Sequence, residues 1–268
     1  MNTLHRFACL PAAAFALWLL PTWSVGATTI DKTVNINVYQ VCADAGATCA
    51  SQGPAGNLYY AAETNKIWAQ AGISVSFTFQ QQLLNSSFYN LNDNVDGIRF
   101  DDLYNSVFGA GAASTVTDRV DMFLINDYDG AFGVGYSGFG GLVMSMKAIG
   151  EFDCGGAAGC TGRVDTLAHE LGHNFGLVPE SFADYAGEAD PGHSTITNTL
   201  MASGEVRLIP TTAADIAPDG FGLDLLPQTH INFARNSTLL SAVPEPSAAA
   251  MAFLGLLALG VLRRRRPG

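Results

Sequence analysis

The chain has 268 residues, 48% of them hydrophobic, and carries 24 acidic against 13 basic side chains. That apolar share supports a sizeable core and excludes disorder as the default. The acidic balance excludes a nucleic-acid surface, which requires the opposite sign.

In chain order, Met1 to Arg6 brings one firm positive charge. Phe7 to Leu20 is an apolar run broken only by Pro11, and Val25-Gly26-Ala27 has the small-residue form of a signal-peptidase site. Residues 1–27 are therefore expected to be a secretory signal cut after Ala27. A membrane anchor is the competing reading, but the run falls short of the ~20 residues a span needs.

Thr33 to Val41 alternates apolar and polar residues, as a half-buried strand does. Leu58 to Ala71 reads as a helix, Ile73 to Phe79 as a second alternating strand and Ile98 to Phe108 as a short helix. Val120 to Ile125 is an apolar run suited to a central strand. Gly130 to Gly141 is a loop by composition, and Leu142 to Ile149 reads as a further short strand. Asp165 to Leu177 has helical period, with Leu167, Leu171 and Phe175 recurring every four residues. Leu226 to Leu239 is expected to be a closing helix. Strands alternating with helices predict one α/β domain over residues 28–242, a sheet with helices packed on it.

The last 26 residues form an extended Pro-rich spacer (Val243 to Ser247), an apolar stretch (Ala248 to Leu262) and a cationic stop (Arg263 to Arg266). Fifteen apolar residues suit a transient rather than a permanent anchor. This three-part order resembles the PEP-CTERM sorting signal of Gram-negative bacteria. The resemblance implies recognition and removal by an exosortase, with transient membrane association through the tail. Without both ends, residues 28–242 hold eight basic and 23 acidic side chains, a net charge near −15. Cys9 falls in the signal, leaving Cys42, Cys49, Cys154 and Cys160. Of the three connectivities, the local pairs Cys42–Cys49 and Cys154–Cys160 are favoured. A four-cysteine zinc site competes but lacks paired Cys-x-x-Cys spacing.

His169-Glu170-Leu171-Gly172-His173 carries the chemistry. Residues i and i+4 of a helix share one face, so both imidazoles can reach one ion, while Leu167, Leu171 and Phe175 face the core. Zinc favours such nitrogen ligands. Glu170, beside the first ligand, is placed to take the proton of a water that the ion acidifies, and to pass it to a leaving amine.

Asp165 to Gly176 (DTLAHELGHNFG) and Thr199 to Gly204 (TLMASG) together resemble the metzincin clan of zinc peptidases. The resemblance implies a single catalytic domain with a twisted mixed sheet, an active-site helix ended by Gly176, and a Met-turn whose Met201 packs beneath the ligands. The chain departs from the clan at Pro179, where the third ligand normally stands. His193, eight residues before Met201, has a His-to-Met interval similar to that of short metzincins and is the expected third ligand, displaced by an insertion over residues 178–192. Glu180 and Asp184 compete with it, and a solvated loop histidine is the bland alternative.

Gly133 to Gly138 formally fits Gly-x-Gly-x-x-Gly but opens no helix, so no dinucleotide site is expected. In metzincins an edge strand near here pairs with extended substrate, and the resemblance makes Leu142 to Met146 the expected one. Asp93 to Gly97 and Asp127 to Gly130 lack a full calcium-ligand series and read as solvated turns. His230 reads as structural. The function these readings imply is a secreted zinc endopeptidase acting on peptide or protein substrates. The alternatives are a non-catalytic exported protein that retains the fold, and a matrix component sorted by its tail.

Overall fold

The computed structural model describes residues 28–44, 48–92, 100–110, 116–129, 131–137, 139–156, 159–177 and 192–243. The expected signal segment, the sorting tail, the turn at Asp93 to Gly97, and Pro179, Glu180 and Asp184 lie outside the described residues.

The elements in order are β1 (Lys32–Cys42), α1 (Ala61–Ala69), β2 (Ile73–Leu84), α2 (Ser86–Tyr89), β3 (Asn90–Leu91), α3 (Phe100–Phe108) and β4 (Val120–Ile125). They continue with β5 (Asp127–Tyr128), β6 (Gly133–Gly135), β7 (Gly141–Ser145), α4 (Met146–Gly150), α5 (Thr166–Asn174), α6 (Gln228–Ala234) and β8 (Ser241–Ala242). The main sheet runs β2-β1-β4-β7-β6. Its first four strands are parallel, and β6 is antiparallel to β7. β8 pairs with the start of β1, while β3 and β5 form a separate two-residue pair. The fold class is therefore α/β, a mostly parallel sheet with helices.

Side-chain alternation explains the layering. On β1, Val34, Ile36 and Val38 join Met122, Leu124, Leu142 and Met144 in one core, which also takes Trp68 of α1 and Leu167 and Leu171 of α5. Tyr39 and Val41 point the other way with Phe123, Ile125 and Val143, against Phe100, Leu103 and Tyr104 of α3. Strands buried on both faces read as unbroken apolar runs, which is why VDMFLI is buried at every position of β4. The N-terminal half of β1 is covered on one face only, and Asn35 is exposed there.

Four expectations change. Gly130 to Gly141 is not all loop, because β6 forms within it through pairs Gly133–Met144 to Gly135–Leu142. Leu142 to Ile149 is not one strand: it ends at Ser145 and turns into α4. Consequently Leu142 to Met146 is not an edge. Residues 141–145 are buried and pair with β4, Leu142 to Met144 pair with β6 on the other side, and the outer strand is β6. Glycine-rich composition concealed that strand, since residues without side chains give no alternation to read. The closing helix is also shorter than expected, Gln228–Ala234.

Both favoured disulfides are present, Cys42–Cys49 and Cys154–Cys160, which fits an oxidising environment. Among the described residues, no helix is long and apolar enough to cross a membrane.

Candidate metal centre and cleft

α5 is buried along its whole length, against β6, β7 and α1. Trp68 donates its indole N–H to the Ala168 carbonyl at 3.2 Å and meets the Phe175 ring edge-on at 4.8 Å. The helix stops at Gly176, whose φ of 90° suits glycine. Leu177 N–H bonds to the Gly172 carbonyl and Gly176 N–H to that of His173, both at 2.9 Å, a Schellman ending.

That ending also serves the site. The Leu177 carbonyl it turns inward lies 3.2 Å from His173 Nδ1, and the Leu200 carbonyl lies 2.7 Å from His169 Nδ1. With each Nδ1–H donating to a carbonyl, each Nε2 is left with its lone pair for a metal. Burial first, then the neighbouring His173, Arg207 and His193, hold the His169 ring well below the usual histidine range. It is accordingly neutral, the form that ligates.

His193 joins them from a segment without regular structure. Ser194 N–H bonds to the Met201 carbonyl at 2.7 Å, and Ser194 bridges to Ala202. A turn closed by Ala202 N–H on the Thr199 carbonyl presents Leu200 and Met201 beneath α5. Met201 is fully buried, and a β-carbon on Gly172 would overlap its sulfur. The predicted contact of Met201 beneath the helix is therefore present.

One ligand atom from each of His169, His173 and His193 falls within 4.8 Å of the others, so this buried cluster could bind a metal ion. His169 Nε2 and His193 Nε2 lie 3.1 Å apart. Nitrogens bound to one tetrahedral zinc stand roughly 3.3–3.4 Å apart. Two neutral ring nitrogens with facing lone pairs repel at this distance unless a proton or a cation lies between them. The donor set fits zinc.

Glu170, which lines the same cleft as His169 and His193, packs its side chain against β6. Gly135 N–H donates to its carboxyl. A β-carbon on Gly133 would stand 2.8 Å from Glu170 Cγ, and one on Gly135 2.5 Å from the Glu170 carbonyl oxygen, so β6 approaches α5 closely only because both residues are glycine. Burial pushes the Glu170 carboxyl up to about 8, against the pull of Arg163 and the Gly135 N–H.

No family model matches the chain, and no curated protein matches it.

A cleft of about 750 Å³ opens on this centre, lined by His169, Glu170 and His193. Its walls are residues 131–133 and 152–154 together with residues 203–211. The structure brings together all four residues expected at the site. Three further features were missed. Asn174 donates its amide to the carbonyls of Tyr136, Phe139 and Gly141 at 2.9–3.0 Å, pinning the segment behind β6 to the helix. Arg207, buried, bridges Asp165 and Asp224 and donates from Nε to the Ala202 carbonyl at 3.0 Å. Asp165 stands at the N-cap of α5, yet its carboxylate caps nothing and accepts from Arg207 and from Arg163. The only sequence signal for this network was an Asp just ahead of the metal helix, a position equally suited to capping. Gly133 and Gly135 are the third, and their spacing of two was the available clue.

Proposed function

We propose that the protein is an exported zinc-dependent endopeptidase of metzincin type, sorted by its PEP-CTERM tail. The observation that carries the reading is the convergence of His169, His173 and His193 beside the Glu170 carboxyl at the wall of an open cleft. The three imidazoles would hold the ion. Zinc bound there supplies Lewis acidity and lowers the pKa of a water to about 7. Without metal, burial holds Glu170 largely protonated up to about pH 8; beside a bound cation it would ionise, take the proton of the attacking water on a carboxylate oxygen and return it to the departing amine nitrogen. The Gly135 N–H holds that carboxyl in place, and the Leu177 and Leu200 carbonyls hold the two helix histidines in one tautomer. An extended peptide lies along the cleft beside β6, the outer strand, in place of the expected Leu142 to Met146.

The test is metal analysis and hydrolysis of unfolded protein substrates by the purified full chain. Glu170→Ala is expected to keep its zinc and lose about 10²–10⁴ in kcat/KM. Hydrolysis that survives Glu170→Ala, or a wild-type chain that takes up no zinc, refutes the reading. Zinc uptake with no hydrolysis by wild type favours a non-catalytic exported protein.

A further inference from the structure

Arg163 lines the cleft beside Glu170. Its Nε donates to Asp165 at 3.1 Å, and its guanidinium carbon lies 4.6 Å above the centre of the Phe132 ring. A β-carbon on Gly204 would stand 3.0 Å from Nη1, 3.1 Å from Nη2 and 3.3 Å from the guanidinium carbon, so a side chain there would crowd the two terminal nitrogens and glycine leaves them room. The side chain is 11% exposed. Nη1 and Nη2 have no hydrogen-bond partner among the described residues. The guanidinium is thus held on one edge and one face, and its two terminal nitrogens are left for the cleft.

We propose that Arg163 is a carboxylate-binding residue of the cleft, selecting substrates that present an acidic side chain or a free C-terminal carboxylate beside the bond to be cut. The inference rests on the peptidase reading of the site. A guanidinium fork matches a carboxylate with two parallel hydrogen bonds, and its rigid mounting leaves little freedom to lose on binding. Arg163 and Arg207 face Asp165 and Asp224 in one buried cluster. Arg207 is engaged by both carboxyls and by the Ala202 carbonyl, and Arg163 is the cationic member that lines the cleft with unused donors. Asp153 and Glu205 also line the cleft, but they are exposed, and their repulsion is screened by salt far more than the attraction of a mostly buried guanidinium.

The test separates binding from turnover. Random octapeptide pools, acetylated at the N-terminus, are captured on the zinc-loaded full chain carrying Glu170→Ala and quantified by mass spectrometry. One arm uses amidated pools and compares Glu and Asp with Gln and Asn. The other uses pools without acidic residues and compares a free C-terminus with an amide. Enrichment of about tenfold or more in at least one arm is expected, and the arm identifies the source of the carboxylate. Adding Arg163→Gln should bring the ratio to within about twofold of one, while Arg163→Lys, which keeps the charge without the fork, should keep part of it. Both peptides of a pair meet the same preparation, so a loss of folded protein cancels in the ratio. No enrichment in either arm, or enrichment unchanged by Arg163→Gln, overturns the proposal. Hydrolysis by the wild-type chain is scored separately: peptides cut without discrimination sink the carboxylate site alone, and peptides selected but never cut sink the peptidase reading alone.

Discussion

The two sources of the histidine cluster differ in what fixes them. His169 and His173 stand one turn apart on a buried helix, and backbone periodicity alone sets their relation. His193 comes from a coil segment 20 residues beyond His173, held by a backbone bond from Ser194 to Met201 and by the packing of Met201 on Gly172. Half of the site is therefore local geometry and half is tertiary structure. Arg207 joins the halves, since it grips Asp165 at the start of the helix and Ala202 and Asp224 on the coil side.

Cutting that join should have the largest effect. Arg207→Leu leaves Asp165 and Asp224 buried without their shared partner and is expected to cost about 3–5 kcal/mol, read from urea unfolding. An unchanged midpoint would mean that the halves hold together without it. Next come the ligands themselves. His169→Ala and His193→Ala should each weaken zinc about 10²–10³-fold in chelator competition. The two should differ in stability without metal, because His169 is the more buried ring and also ties α5 to Leu200, so its loss should lower the unfolding midpoint of the apo protein further. Equal apo stabilities would erase the distinction between the halves.

Gly135→Ala tests the helix side more finely. The added methyl meets the Glu170 backbone, and the strain should cost about 1–3 kcal/mol and separate β6 from α5. Faster amide exchange at position 135 would report the separation. The smallest change is Asp224→Asn, nearly isosteric with the protonated acid. The folded pKa of Asp224 lies above its usual value, so the stability it lends is complete below about pH 4 and is lost as pH climbs through about 8. Asn has no such dependence. The gap between variant and wild type should move in the variant's favour across that window, and a constant gap would show that Asp224 stays ionised throughout.

How much of this was legible in the sequence follows the same division. β4, buried on both faces, announced itself as VDMFLI with its ends correct. α5 was visible from its period and its Gly176 stop. His193 was within reach only through its interval to Met201, because no local pattern tells a coil histidine where it will stand. Strand β6 is hidden because glycine removes the alternation by which strands are read, and the apolar run Leu142 to Met146 reads as an edge in its place. Arg163, Asn174 and Arg207 were silent for another reason. Their partners lie 2 to 42 residues away with no periodic relation, and charge or amide content alone does not say what a side chain will hold.

The clamp by Asn174 has a mechanical consequence. With three carbonyls of residues 136–141 fastened to one amide, α5 and the outer strand form a single stiff jaw, and Glu170 keeps its place between them. Any widening that a bulky occupant requires must then fall on the opposing jaw, where residues 203–211 approach as coil and Leu208 stands exposed.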